Sequence, residues 1–273
     1  MKKVRADELL IQQGWAEDRE KAKRLIMTGK AYTEKEEQIQ TSGEKWPFNT
    51  VVYIKGAEQL YVSRGGFKLE KAIAHFSIDL TDKIVLDIGA STGGFTDVCL
   101  QNGARLVYAL DVGTNQLAWK LRIDERVVVM EQTNFRHVTV EDFKKGKPTF
   151  ATIDVSFISL TKIFPVLQTI LEKEGEVVAL IKPQFEADRE EVGEGGIITD
   201  GQVHRRVVET LIHYLYDLGF LVEEVIPSPI KGGKGNTEFL AYIRNTSLKE
   251  LTKEKHLEQA TQNIVFKETD ESL

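Results

Sequence analysis

Two features of this 273-residue chain have residue types and spacing that could do chemistry. The first is a glycine-rich turn, LDIGASTGGFTD, in which Asp87, Gly89, Gly93 and Gly94 stand between an apolar run and the start of a helical one. A turn of this kind brings backbone close to a nucleotide-type ligand at the mouth of a helix. The second is a set of four ionisable residues at the ends of apolar segments: Lys68 in SRGGFKLEKAI, Asp154 closing FATID, Lys182 closing EVVALIK, and Glu238 opening EFLAYI. Two charges of each sign facing one crevice can hold, give or take a proton.

The spacing of the turn discriminates among ligands. A dinucleotide fingerprint needs G-x-G-x-x-G, and Gly89-Ala90-Ser91 lacks its second glycine. No G-x-x-x-x-G-K-[ST] occurs anywhere, so a phosphate-cradling P-loop is excluded. The remaining common user is S-adenosylmethionine, whose amino group and sulfonium suit a carboxylate such as Asp87. Asp111, at the end of the next apolar run, is placed to accept from ribose hydroxyls. The expected cofactor contacts are Asp87, Gly89, Ala90, Ser91, Thr92, Gly93, Gly94, Phe95, Thr96, Asp111 and Asp154.

These residues need a scaffold, and residues 61–245 supply one. KIVLDIG, ARLVYALDVG, RVVVM, FATIDVSFISL, EVVALIKP, LVEEVIPSPI and EFLAYIR read as strands, separated by helical stretches such as TDVCLQNG, IFPVLQTILEKEG and QVHRRVVETLIHYLYDLG. That alternation predicts an α/β fold, a Rossmann-like sheet with helices on both faces. In such a sheet the crevice lies beyond the carboxyl ends of the strands, where Asp154 and Lys182 fall. Glu238 reaches it if its strand runs antiparallel. GEGGIITD (193–200) is a candidate lid, and Phe185 could stack a base or belong to the core.

Residues 1–60 read as a separate small α+β unit: two short helices, ADELLIQQGW and DREKAKRLIMTGK, then short strands ending in VVYI. Asp18 is the expected cap of the second helix. That helix concentrates charge, with Arg19, Lys21, Lys23, Arg24 and Lys30 against Glu20. Such a face either is merely solvated or binds phosphates. Residues 246–273 form a polar tail, helical in pattern over LKELTKEKHLEQATQNIV.

Composition bounds the classes. With 41% hydrophobic and 29% charged residues the chain is globular, and its formal charge of −6 argues against a bulk cationic nucleic-acid binder while permitting a local basic face. Cys99, the single cysteine, cannot form an internal disulfide, a zinc cluster or a redox pair, and reads as a buried hydrophobe; no metal is expected. No apolar run approaches the roughly 20 residues of a membrane span and the basic start lacks a leader's apolar core, so a cytoplasmic protein is expected.

Two resemblances follow from these residues. Arg5, Asp7, Leu10, Gly14, Arg19, Ala22, Leu25, Ile26 and Gly29 resemble the S-four-type RNA-binding domain, although TEKEEQ replaces its V-N-G turn. The Lys–Asp–Lys–Glu set resembles that of FtsJ-like ribose 2′-O-methyltransferases, and SRGGFKL, DIGASTGGFTD, DVSFISL, IKPQFE and GNTEFL together resemble the TlyA family, also called haemolysin A. The resemblance implies methyl transfer from S-adenosyl-L-methionine to a ribose 2′-hydroxyl, on a cytidine of ribosomal RNA in an assembled small or large subunit. It puts the catalytic tetrad on Lys68, Asp154, Lys182 and Glu238, with Lys182 as base or oxyanion stabiliser, Lys68 its neighbouring cation, Asp154 orienting Lys182 and Glu238 holding Lys68. RNA contacts are expected from Arg5, Arg19, Lys21, Lys23, Arg24, Lys30, Arg64, Lys231 and Lys234. The rival readings are a membrane-active haemolysin, a non-catalytic RNA-binding assembly factor and a nicotinamide dehydrogenase.

Overall fold

The computed structural model describes residues 3–33, 36–48, 50, 52–56, 60–232, 235–246, 252–264 and 266. The chain starts with β1 (Lys3–Arg5), α1 (Ala6–Gln12), α2 (Arg19–Met27), β2 (Ala31–Thr33), β3 (Lys45–Pro47) and β4 (Val52–Ile54). β1 pairs with β3 and β2 with β4, both antiparallel. Leu9, Leu10, Ile26, Ile39 and Val52 make a core of their own, distinct from those around the large sheet. Asp18 caps α2 as expected, accepting from the Lys21 amide at 2.7 Å. β1 carries too few residues to show a pattern in the sequence.

The large sheet is built from β5 (Ile84–Ile88), β6 (Leu106–Leu110), β7 (Val127–Met130), β8 (Phe150–Ile153), β9 (Glu176–Ile181), β10 (Phe220–Pro227) and β11 (Phe239–Asn245), the seven strands expected. Their order is β10-β11-β9-β8-β5-β6-β7, with β11 antiparallel to both neighbours and every other pairing parallel. α3 (Gly65–Phe76) and α4 (Gly94–Gln101) contribute to the core on one face. α6 (Phe164–Ile170) and α8 (Gly201–Leu218) contribute to the core on the other. Between them come the one-turn helices α5 (Trp119–Arg122) and α7 (Pro183–Glu186). Strands covered on both faces must be apolar throughout, which is why β5 and β6 are continuous hydrophobic runs except for Asp87.

Three local differences from the sequence reading have physical causes. SRGGFKLEKAI, to which the sequence alone assigns no element, forms the start of α3. The apolar run FATIDVSFISL leaves the ladder after Ile153, because Asp154 and Ser156 turn into the crevice; Phe157 has a positive φ of 62° there. Among the described residues the tail forms α9 (Lys253–Thr261), which is docked on the sheet. His256 and Ala260 are buried, and the Val222 amide of β10 donates to His256 Nε2 at 3.2 Å. Residues 248–251 and 265 of that polar stretch lie outside the described residues. Among the described residues no helix is long and apolar enough to cross a membrane.

Candidate active site

The strands end in register. Ile88 pairs with Leu110 and with Ile153, and the Asp154 amide donates to the Ile88 carbonyl at 3.0 Å. The residues that follow these ends, Gly89, Asp111 and Asp154, therefore share one edge, joined by Lys182 after β9. On both sides of β5 the connections diverge, one to β6 and one to β8, so the crevice opens at the switch point of the sheet. Phe239 pairs with Ile181, so antiparallel β11 begins where β9 ends and delivers Glu238 beside Lys182. Lys68 comes from the second turn of α3, above the same edge.

The four charges form a chain of alternating sign. Lys68 Nζ lies 2.6 Å from Glu238 Oε2 and 3.8 Å from Asp154 Oδ2; Lys182 Nζ lies 2.6 Å from Asp154 Oδ1 and 3.0 Å from Ser156 Oγ. Lys68, Lys182 and Glu238 are buried, while the Asp154 side chain keeps 22% of its surface exposed. Burial pushes the Asp154 carboxyl up, but Lys68, Lys182 and the more distant Arg64 outweigh burial and hold it below the usual carboxylate range. Gly232 packs directly against the tetrad: a Cβ on it would stand 2.0 Å from Glu238 Oε1 and displace that carboxylate.

Next to this chain lie two cavities that share Gly89, Ser91, Asp154 and Ser156, making one trough across the glycine turn. One, of about 430 Å³, holds the tetrad and is floored by Gly89, Ala90, Ser91, Thr92, Gly94 and Phe95. The other, of about 390 Å³, contains Asp111 and the apolar side chains of Leu110, Phe135 and Ile163. A polar, charged end, a carboxylate in the middle and an apolar end fit an adenosyl amino acid. Gly89 has φ +88°, and a Cβ there would meet the Asp154 carbonyl oxygen at 2.5 Å, so only glycine lets the turn pass under the tetrad. In this structure Asp111 accepts from the Ser91 and Gly113 amides at 2.8 and 2.7 Å.

Asp87, Gly93 and Thr96 are not part of that trough. Asp87 is fully buried beneath the turn, accepting from Thr96 Oγ1 at 2.7 Å and Thr152 Oγ1 at 2.9 Å. Burial raises its pKa to about 6 against the pull of those hydroxyls. The structure thus brings it to the loop's foundation. Residues not singled out in the sequence also belong to the trough: Gln116, Asn134 and Phe135. Asn134 and Phe135 stand four and five residues past the end of β7, whereas Asp111 follows β6 directly, so the strand-end rule extended by one strand points only to their neighbourhood. Glu131 builds the adjoining wall, accepting from the Asn115, Gln116 and Leu117 amides and from Arg122, whose hydrogen bond draws its pKa down to about 2.

The expected RNA contacts divide. Arg5 is committed to buried Asp7 at 2.6 Å, Arg19 to Glu8 at 2.8 Å and Lys21 to Glu17 at 3.4 Å. Lys23, Arg24 and Lys30 are exposed and form no ion pair among the described residues. Arg64 and Lys231 line a groove of about 760 Å³ between the N-terminal unit and the sheet, together with Lys3 and Phe48; Arg64, Gln12 and Gly232 border both this groove and the tetrad cavity. Lys234 lies outside the described residues.

A sheet of this order, with a glycine turn after its first strand and a trough across the switch point, defines a Rossmann-like methyltransferase that uses S-adenosyl-L-methionine. Comparison makes the assignment specific. The FtsJ-like methyltransferase model matches residues 61–245, and the chain belongs to that family. A Bacillus subtilis protein provisionally designated rRNA methyltransferase YqxC is 55% identical over 242 residues, covering 89% of this chain and 86% of its own. The 16S/23S rRNA (cytidine-2′-O)-methyltransferase TlyA of Mycobacterium tuberculosis is 36% identical over 97% of this chain and 98% of its own. A solved structure from Streptococcus thermophilus, provisionally designated a hemolysin, is similar with a TM-score of 0.74 and 52% identity, covering 95% of this chain and 94% of that one.

Proposed function

We propose that this protein is a cytoplasmic enzyme that methylates the 2′-hydroxyl of a cytidine ribose in ribosomal RNA, within an assembled subunit. The observation that carries the reading is the chain Glu238–Lys68–Asp154–Lys182 at one end of the cofactor trough. S-adenosyl-L-methionine, when bound, supplies a methyl group on a positively charged sulfur. Gly89, Ala90, Ser91, Thr92, Gly94, Phe95 and Asp111 hold that donor, and the tetrad handles the acceptor hydroxyl.

A ribose hydroxyl is a poor nucleophile until its proton is drawn away. Lys182 Nζ stands where it can act on the 2′-oxygen in one of two ways: as a base, after giving up its own proton, or as the ammonium that stabilises the charge that develops. Asp154 keeps both lysines aimed, one carboxylate oxygen on each, and its depressed pKa keeps it ionised and able to do so. Glu238, with only 2% of its side chain exposed, anchors Lys68 from the other side.

The N-terminal unit, residues 1–60, serves in this reading as an RNA-binding module in which Lys23, Arg24 and Lys30 meet phosphates. The RNA strand then follows the groove past Phe48, Arg64 and Lys231 to the tetrad. Folded RNA is read largely through backbone and 2′-hydroxyls, which suits such a groove. The test is labelled-methyl transfer from S-adenosylmethionine to ribosomal subunits purified from cells lacking this enzyme. Label confined to one alkali-resistant linkage is expected; label on a base, or none on either subunit, contradicts the proposal.

A further inference from the structure

Besides the trough, Ser156, Lys182 and Glu238 border a further cavity of about 470 Å³. Part of its wall is Gly195 and Gly196, from the glycine-rich loop 193–200 that leads into α8. Both glycines stand at positive φ, +80° and +79°, a conformation that glycine permits. The loop closes on itself where the Gly193 amide donates to the Ile197 carbonyl at 3.0 Å. Two consecutive glycines have no side chains to pack, so another residue has to hold this wall beside the tetrad.

Asn236 does so. It is buried, with 3% of its surface exposed, and its carboxamide is used at both ends: Oδ1 accepts from the Ile198 amide at 3.1 Å and Nδ2 donates to the Gly196 carbonyl at 2.8 Å. Ile198 is buried as well, so its amide has no water to turn to if Asn236 is removed. The same residue fixes the approach to Glu238. Its backbone carbonyl accepts from the Gly232 amide at 2.9 Å, and Gly232 packs against Glu238 Oε1. Asn236 and Glu238 stand two residues apart and both line this cavity, so the loop and the carboxylate depend on one short segment.

We propose that Asn236 is a positioning residue for methyl transfer: by latching Gly196–Ile198 onto the segment that opens β11, it sets the Glu238 carboxylate against Lys68. Glu238 Oε2 lies 2.6 Å from Lys68 Nζ, and Lys68 lies 3.8 Å from Asp154, so a shift of Glu238 is passed along the chain of charges toward Lys182. Small displacements of reacting groups lose rate steeply, and supporting hydrogen bonds are what prevent them. A carboxamide presents an acceptor and a donor side by side, which matches the Ile198 amide and the Gly196 carbonyl. A carboxylate of the same shape can accept from the first but meets the second with a like-signed oxygen. This inference rests on the 2′-O-methyltransferase reading and adds a residue outside the tetrad on which the tetrad's geometry depends.

The test uses full-length protein and unmodified ribosomal subunits, with Asn236→Ala and Asn236→Asp each made alone and together with Glu238→Gln. Asn236→Ala should lower kcat by about tenfold or more, with KM for subunits and S-adenosylmethionine affinity within about twofold of wild type. Amide exchange should quicken over residues 193–200 and not across β5, β8 and β9. In the Glu238→Gln background, followed by single-turnover labelling, the same change should slow transfer by less than about twofold, because residues that act through one another are not additive. Asn236→Asp keeps the acceptor for Ile198 and loses the donor for Gly196. It should show the same pattern more weakly, and it is the deciding variant if Asn236→Ala does not fold. An unchanged kcat, unchanged exchange, a defect in KM alone, or an equal loss with and without the Glu238 carboxylate overturns the assignment. Failure of wild type to methylate either subunit is a separate result: it overturns the underlying reading without any variant.

Discussion

The Lys68 ammonium and the Glu238 carboxylate lie 2.6 Å apart across 170 residues of sequence, with 7% and 2% of their side chains exposed. The pair joins the helix that opens the sheet unit to the last strand of that sheet. A buried pair of this kind contributes little net stability against an apolar replacement, but removing one partner strands the other charge. Glu238→Ala is therefore expected to lower unfolding free energy by about 3–5 kcal/mol in denaturant titrations. The double replacement Lys68→Met with Glu238→Leu should recover most of that loss while remaining inactive. A stable Glu238→Ala protein would show that the pair is not sealed from water.

Gly232 offers a gentler perturbation of the same pair. A Cβ at that position would stand 2.0 Å from Glu238 Oε1, while the glycine turn and Asp111 are untouched. Gly232→Ala should displace the Glu238 carboxylate and lower kcat by about tenfold or more, since misplaced catalytic groups lose rate steeply. S-adenosylmethionine affinity, measured by calorimetry, should stay within about twofold.

Asp87 makes a prediction in pH. Its folded pKa of about 6 lies above the ordinary 3.8, so between those values the folded state binds more protons than the unfolded one. Stability contributed by the protonated carboxyl is full below about pH 4 and is lost as pH rises through 6, by on the order of 3 kcal/mol. Carboxyl-carbon NMR should show one aspartate titrating near 6, and Asp87→Asn should remove both that titration and that slope.

The basic helix predicts a salt effect. Lys23 and Arg24 are exposed and free of ion pairs among the described residues. Replacing both by glutamine should weaken binding to ribosomal subunits and reduce the slope of log affinity against log salt by about two. Affinity for S-adenosylmethionine, measured without RNA, should not change.

Much of this site could be read from strand ends. Asp154, Lys182 and Glu238 were identifiable because a charge at the end of an apolar run in a parallel sheet has to face the crevice. Lys68 does not follow from the strand-end rule, because it stands near the start of α3 and not at the end of a strand. Asp87 is the opposite case. Its place just before the glycines suggests a ligand contact, but Thr96 and Thr152 take both its oxygens, and no sequence pattern announces hydroxyl partners contributed by two other elements. Similarly, the charge count of α2 could not show that Arg19 and Lys21 spend their charge on Glu8 and Glu17. The helical pattern of the tail was legible, but the docking of α9 on the sheet was not, because only His256 and Ala260 of its residues are buried, too few to mark an apolar face.

The central claim is that Lys182, aimed by Asp154 at 2.6 Å, acts on the acceptor hydroxyl and not in holding the donor. The most direct measurement pairs calorimetric binding of S-adenosylmethionine with single-turnover methyl transfer to unmodified subunits, for wild type and Lys182→Ala. The account predicts donor and subunit affinities within a few-fold of wild type, and a methyl-transfer rate lower by a factor on the order of a thousand or more, as loss of proton transfer or of oxyanion stabilisation would give. A Lys182→Ala enzyme that transfers methyl at near-normal rate, or one whose only defect is failure to bind the donor, would contradict it.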